Sequence, residues 1–272
     1  MLTTKGGIAI AAEFLAEERI LETNNNAPFW IVTGAASGIG ASVVRAVRRS
    51  GAEVLALDVN DELGVVLAEQ TGAHYRHCDI SQPEHWQKLI EFLNASRSAL
   101  GAPTHVHLNA GIQIAPPDAA LSEYQLEMAS VERYRRMMGV NVDGVVFGLQ
   151  SLLPLMGEGS AIVVTASLAG VTPYAIDPLY AMSKHAVVGL VRSLAPTLTK
   201  RGIHIHALCP GGVDTALVPV EQRHIGVRFM TPEDLANDVI GLMGEPVSGK
   251  SWVRVSAEKP RFVIRAPGDR TK

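Results

Sequence analysis

Between residues 29 and 255 the chain alternates short apolar runs with longer stretches in which apolar positions recur every three or four residues. The runs at 29–33, 53–58, 74–78, 105–109, 160–166, 203–209 and 252–255 have the length and the β-branched content of strands. Some are apolar at consecutive positions, as in Ala161-Ile162-Val163-Val164, the mark of strands covered on both faces. Strands that alternate with helices pair in parallel through right-handed crossovers. The pattern therefore predicts a single α/β domain over 28–256, a doubly wound sheet of seven parallel strands with helices on both faces. Residues 1–27, ending in the polar run Thr23-Asn24-Asn25-Asn26-Ala27-Pro28, read as an extension, and 257–272 as a tail.

Directly after the first strand stands Thr33-Gly34-Ala35-Ala36-Ser37-Gly38-Ile39-Gly40, followed by the helical stretch 41–49. A glycine cluster alone is no more than a tight turn. Between a strand and a helix, Gly34, Ser37, Gly38 and Gly40 let the backbone approach a pyrophosphate and aim a helix N-terminus at it. Asp58 closes the second strand about 20 residues on, where a carboxylate accepts hydrogen bonds from both ribose hydroxyls of an adenosine. It would repel a 2′-phosphate, and neither the loop nor Val59-Asn60 offers a Lys or Arg as counter-charge, so the expected cofactor is NAD rather than NADP. Asp79 and Ile80 follow the third strand at the adenine end, and Asn109-Ala110-Gly111 closes the fourth strand at the same sheet edge.

Ser167 follows the fifth strand; Tyr180 lies thirteen residues later and Lys184 four beyond that. The last two share one helical face. A phenol ordinarily titrates near pH 10, and a neighbouring ammonium favours its ionised form, so Lys184 is expected to lower Tyr180 towards neutrality. A phenol so tuned exchanges a proton with a carbinol or carbonyl oxygen while hydride crosses to or from a nicotinamide. Ser167 would hold that oxygen, Lys184 could also bond the nicotinamide ribose, and Asn141 could anchor a water that links the lysine to solvent.

From about residue 29 to 255 the chain resembles the short-chain dehydrogenase/reductase family, in the branch with a T-G-x-x-x-G-x-G loop and a Y-x-x-x-K pair. The motifs run in order: the glycine loop, Asp58, Asp79, Asn109-Ala110-Gly111, Asn141, Ser167, Tyr180, Lys184 and Pro210-Gly211. The resemblance implies a Rossmann-like fold, an Asn141–Ser167–Tyr180–Lys184 catalytic tetrad, and cofactor contacts from Ile39, Val213 and Thr215. It also implies dimers or tetramers through an apolar outer face of the Tyr180 helix, around Ala181 and Val188. Three departures stand out. Pro196 falls inside that helix and is expected to distort its far end. His206 replaces a frequent Asn, and the seventh strand lacks the usual Asp-Gly-Gly ending.

Composition removes several classes. With a net charge of −3, no basic face supports nucleic-acid binding. Cys78 and Cys209 are too few and too far apart for a disulfide framework or a zinc clamp, which fits a reducing cytoplasm. The apolar patch at 8–12 is broken by Glu13, Glu17 and Glu18, so neither secretion nor membrane insertion is expected; 8–21 reads as an amphipathic helix or as a leader. The alternating pairs His105/His107 and His204/His206 lack further ligands and are expected to be packing histidines rather than metal ligands.

Substrate recognition is assigned to Ile112 and Gln113, to Leu168, Ala169, Tyr174 and Ile176, and to a lid over 216–230 with Leu217, Val218, Val220, Ile225, Phe229 and Met230. These side chains suit a small hydrophobic secondary alcohol or ketone. Two rivals are an NADPH-dependent reductase of acyl or polyketide carbonyls, which Asp58 opposes, and a redox sensor that holds NAD without turnover, which has no use for a poised phenol.

Overall fold

The computed structural model describes residues 27–224 and 228–265; the predicted 8–21 helix and Ile225 of the lid lie outside them. Eight strands form one sheet: β1 (Phe29–Thr33), β2 (Glu53–Asp58), β3 (His74–His77), β4 (His105–Leu108), β5 (Ala161–Thr165), β6 (His204–Pro210), β7 (Ser251–Arg254) and β8 (Phe262–Ile264). Their spatial order is β3-β2-β1-β4-β5-β6-β7-β8. All neighbours are parallel except β8, which runs antiparallel to β7. The order reverses between β1 and β4, which opens a crevice at the carboxyl ends of those strands.

The seven-strand expectation is thus one short. Residues 257–272, read as a tail, contribute β8, whose Phe262, Val263 and Ile264 pair with Val253, Trp252 and Ser251. Three residues after Lys259-Pro260 give no visible periodicity, but an aromatic followed by two β-branched side chains suits an edge position. The strand is pinned from outside: Arg261 bonds Asp238 at 3.0 Å and lies 5.4 Å over the Trp252 ring.

Successive side chains of each strand serve two cores. Phe29, Ile31, Leu55 and Leu57 face one set of helices, and Trp30, Val32, Val54 and Ala56 the other. On the first face pack α3 (Pro83–Ala95), α6 (Gly144–Leu152) and α7 (Pro178–Thr199), through Trp86, Leu149 and Val191 among others. On the second lie α1 (Gly38–Arg49), α2 (Asp61–Thr71) and α8 (Pro232–Met243), through Val43, Leu67 and Val239. A short α4 (Arg97–Leu100) follows α3, and α5 (Val131–Met138) precedes α6.

Between α5 and α6 the helix widens into a π turn, Gly139–Asp143, that carries Asn141. The combined run Val131–Leu155 is long and apolar enough by composition to cross a membrane, yet Val145, Leu149 and Leu152 within it are packed in the core beside the sheet.

Two expectations about α7 are corrected. The helix continues beyond Pro196 to Thr199, because the missing N–H costs only a bond in its final turn. Ala181 and Val188 are buried within the protomer at 9% and 3% exposure instead of forming an outer face. Val188 stands four residues past Lys184 and eight past Tyr180, so it must share their inward stripe.

Candidate active site

The glycine loop wraps the carboxyl end of β1. Gly34 and Gly38 have φ of +60° and +52°, which side-chain-bearing residues avoid, and a Cβ on Gly40 would sit 2.1 Å from the Gly34 carbonyl oxygen. Ser37 caps α1 without bonding its own helix through its side chain, so the first N–H groups of α1 have no side-chain partner from the cap. Ile39 faces the core on α1. Thr215 comes over the loop from the far side, its Cγ2 3.1 Å from where a Gly38 Cβ would stand.

Asp58 holds the loop at the β2 end: Oδ2 accepts from Ala36 N–H at 2.9 Å and Oδ1 from Asn60 N–H at 2.9 Å. Val59 beside it is exposed. Asp79 accepts from the N–H and the hydroxyl of Ser81 at 3.0 and 2.7 Å. Burial pushes that carboxyl up, but the Ser81 bonds and nearby His85 outweigh it and leave Asp79 below its ordinary value. Ile80 turns into the core against Gly144.

Asn109 spends its side chain on the sheet. Its Nδ2 donates to the carbonyls of Thr33 and Gly34, each at 3.2 Å, and its Oδ1 accepts from Thr165 Oγ1 at 3.1 Å. Because Thr165 donates there, its oxygen is left to accept from His107 Nε2 at 2.8 Å. Burial pushes His107 down to about 3, which keeps the ring neutral. His105 stacks on Trp30 with centroids 4.6 Å apart, and His206 Nε2 donates to the Glu245 carbonyl. Among the described residues no group of three His, Cys, Asp or Glu side chains could hold a metal.

Ser167, Tyr180 and Lys184 converge beyond β5. The Ser167 side chain stands close enough to the Tyr180 phenol to favour its ionised form, and its hydroxyl accepts from Ala169 N–H at 3.1 Å. Lys184 Nζ lies 5.6 Å from the Tyr180 ring centroid and donates to the Thr165 carbonyl at 3.0 Å. Gly111 is close above it; a Cβ there would be 3.1 Å from Nζ. Burial lowers Lys184 to about 8.

The expected lowering of Tyr180 does not hold in this unliganded geometry. Burial pushes the phenol well above its ordinary value, the nearby Ser167 hydroxyl pulls it back only in part, and Tyr174 and Asp177 push it up further. The resting site therefore holds a neutral phenol, the form that gives a proton.

Asn141 is buried and bonds Ile112 in both directions: Oδ1 accepts from its N–H at 2.8 Å and Nδ2 donates to its carbonyl at 2.9 Å. Nδ2 also donates to Ser183 Oγ at 3.0 Å. The π turn thus ties the segment after β4 to α7. Pro210 ends β6, and Gly211 donates to the Arg254 carbonyl at 2.8 Å. Val213 is buried and bridges Met230, which belongs to the second core rather than to a lid.

Around Tyr180 stand several of the residues assigned from the sequence to substrate recognition. The Tyr174 ring meets the Tyr180 ring edge-on with centroids 6.1 Å apart. Ile176 and Leu217 pack with Tyr180, while Leu168 packs on the first core. Gln113 Nε2 donates to the Leu217 carbonyl at 2.9 Å, and Gln222 Nε2 to the Tyr174 hydroxyl at 2.8 Å, so the segment after β6 rests on the predicted pocket residues.

Asp177 was not among the predicted site residues. Wholly buried, it caps α7: Oδ1 accepts from Tyr180 N–H at 2.8 Å and Oδ2 from Ile114 N–H at 2.9 Å, so one carboxylate holds the helix of Tyr180 and Lys184 to the loop after β4. Its signal was present, since an Asp followed by Pro at the first helical position marks a helix start. Thr33, named only as the opening of the glycine loop, has a role of its own; its buried Oγ1 accepts from the N–H groups of Asn109 and Ala110.

A sequence model of the family described as short chain dehydrogenase matches residues 29–225. The chain belongs to the short chain dehydrogenase family. It is 36% identical over 235 residues to a 2,5-dichloro-2,5-cyclohexadiene-1,4-diol dehydrogenase of Sphingobium indicum, covering 80% of this chain and 90% of the relative. It is 30% identical over 227 residues to a 3-alpha-(or 20-beta)-hydroxysteroid dehydrogenase of Mycobacterium bovis, covering 82% and 79%. Among solved structures, a blue fluorescent protein from a metagenomic library, in complex with NADPH, aligns with a TM-score of 0.73 at 27% identity, over 86% of this chain and 99% of that one. A short chain dehydrogenase is an oxidoreductase of the nicotinamide-linked type, with a small molecule as its other reactant.

Proposed function

We propose that this short chain dehydrogenase interconverts a hydrophobic secondary alcohol and its ketone with NAD(H). What supports the reading most directly is the convergence of Ser167, Tyr180 and Lys184 at the carboxyl edge of a sheet whose first turn is a glycine cradle. The residues fit a dinucleotide. Side chains at Gly34 or Gly40 would fill the cradle, Ser37 keeps its side chain off α1, and Asp58 lies against the loop. A bound nicotinamide would supply the hydride acceptor or donor.

In ketone reduction, Tyr180 gives its proton to the carbonyl oxygen that Ser167 steadies; in alcohol oxidation the phenolate takes the hydroxyl proton. Lys184, ionised at neutral pH, stabilises that phenolate. Because burial holds the resting phenol neutral, reduction should be favoured at low pH and oxidation should climb as pH rises.

Asp58 supports NAD, since its carboxylate stands where a 2′-phosphate would need a cation. NADPH in the metagenomic structure favours a second reading. The named substrates of the two relatives above are ring alcohols, in keeping with the apolar Ile176 and Leu217 beside Tyr180. We extend the proposal to a homo-oligomer in a reducing cytoplasm, where the free, buried Cys78 and Cys209 suit the redox state. The test is a panel of cyclic secondary alcohols with NAD or NADP, followed by absorbance of the reduced cofactor. Turnover with NAD at tenfold or better kcat/KM is expected; a preference for NADP would reject the cofactor assignment.

A further inference from the structure

At the end of α7 remote from Tyr180 the molecule holds a charge that nothing answers. Arg192 is half-buried, its Nη2 is buried without a hydrogen-bond partner, and among the described residues its guanidinium makes no ion pair. A cation taken part-way out of water is costly unless it is paired, and a guanidinium has five donors to satisfy. Its charge reaches the Cys209 thiol on β6, which it pulls down against the upward push of burial. Arg192 stands twelve residues after Tyr180, about 18 Å along the helix axis, and so takes no part in the proton chemistry.

Arg192 lines a cleft of about 270 Å³. Pro196 and Thr199 of α7 share its wall with Arg192, Lys250 enters from the turn before β7, and Ile264 closes it from β8. The turn is held firmly. Gly249, with φ of +80°, donates to the Ile205 carbonyl at 2.7 Å, and Ser248 Oγ accepts from Ile205 N–H at 2.9 Å. A Cβ on Gly249 would sit 2.7 Å from the Ala195 Cβ, so the turn is seated directly on α7. Beside Lys250 the buried Ser251 hydroxyl also lacks a partner, and Ser251 pairs with Ile264 of the cleft wall. Both ionisable residues that line the cleft are cations, and none is acidic.

A space walled by an Arg and a Lys, with no carboxylate among its lining residues, selects an anion. A carboxylate brings one negative charge, whereas a phosphate monoester brings nearly two at neutral pH and three terminal oxygens, enough to take donors from both walls. The cleft is larger than a bare phosphate, and Pro196 and Ile264 offer apolar surface to an organic remainder. We propose that the cleft binds a small phosphate monoester, its phosphate clamped between Arg192 and Lys250 and its organic part laid against Pro196 and Ile264. The site is separate from the glycine cradle: the cradle lies at the carboxyl end of β1, and the cleft at the amino end of β7. It does not depend on which alcohol the active site takes.

The experiment is calorimetric titration of phenyl phosphate into the full chain at low ionic strength, without and with saturating NADH, and of benzoate under the same conditions. One saturable site for phenyl phosphate is expected, unchanged by NADH, with benzoate about tenfold weaker. In Arg192→Gln the affinity for phenyl phosphate should fall by about tenfold or more, since a hydrogen bond between charged groups is lost. Lys250→Gln should weaken it as well, and its place in a turn outside α7 keeps the test open if the first variant misfolds. Absence of a saturable site, benzoate bound as tightly as phenyl phosphate, or an affinity that survives both substitutions would overturn the proposal. Displacement by NADH would do the same, because it would put the phosphate in the glycine cradle.

Discussion

On the β1 side of the crevice the backbone does most of the holding, whereas on the α7 side the ties are made by side chains. The glycine loop keeps its shape through positive φ at Gly34 and Gly38 and through contacts too close for a Cβ, with Asp58 and Asn109 as side-chain anchors on the Ala36 N–H and the Gly34 carbonyl. Tyr180 and Lys184 are tied to Asp177 at a helix cap and to Thr165 at a strand end, and Ser183 between them to Asn141 of the π turn. A backbone cradle is fixed by local chain geometry and suits an invariant ligand part such as a pyrophosphate. Side-chain ties can be exchanged one at a time, which suits the half of a site that must change with the substrate.

The sharpest way to break this contrast is Tyr180→Phe. Turnover should drop by about 10²–10⁴-fold in either direction, while NADH binding, read by fluorescence, stays within a few-fold, because the cradle on the β1 side is untouched. Retained turnover would show that the phenol is not the proton carrier.

Asp177→Asn tests the α7 side more finely. The amide can still accept from Tyr180 N–H, but its NH₂ cannot accept from Ile114 N–H, so kcat should fall by about tenfold with little change in melting temperature, as a lost cap costs only about 1 kcal/mol. The charge removed pushes Tyr180 up, so its loss moves the phenol down, and the rising limb of alcohol oxidation should shift to lower pH. A profile that keeps its position would mean that the carboxylate acts only as a structural cap.

The smallest effect belongs to the cofactor side. Asp58→Ala combined with Val59→Arg should move the NADP/NAD ratio of kcat/KM by about tenfold towards NADP, with the alcohol preference unchanged. An unmoved ratio would take Asp58 out of ribose recognition.

The same contrast explains what could be read from the chain. The doubly wound core was legible because strands buried on both faces are apolar without interruption, as in β5, and because Gly34 to Gly40 occupy consecutive positions between a strand and a helix. The Tyr180–Lys184 pair was legible because four-residue spacing is itself a geometric statement. The environment of that pair was not. Whether a phenol goes up or down depends on how deeply it is buried and on Asp177 and Tyr174, and burial is a property of the assembled fold. The direction of Val188 could have been read from its spacing to Lys184; β8 could not, because three residues give no period and their only warrant is the open flank of β7.

That final strand has a consequence for handling the protein. A chain shortened at residue 256 would keep Ser167, Tyr180 and Lys184, yet it would leave the N–H and C=O groups of Ser251–Arg254 free along one flank, a template on which another polypeptide can add itself. The closing residues work as a guard rail against unwanted strand addition, and their removal is expected to appear as loss of solubility before loss of chemistry.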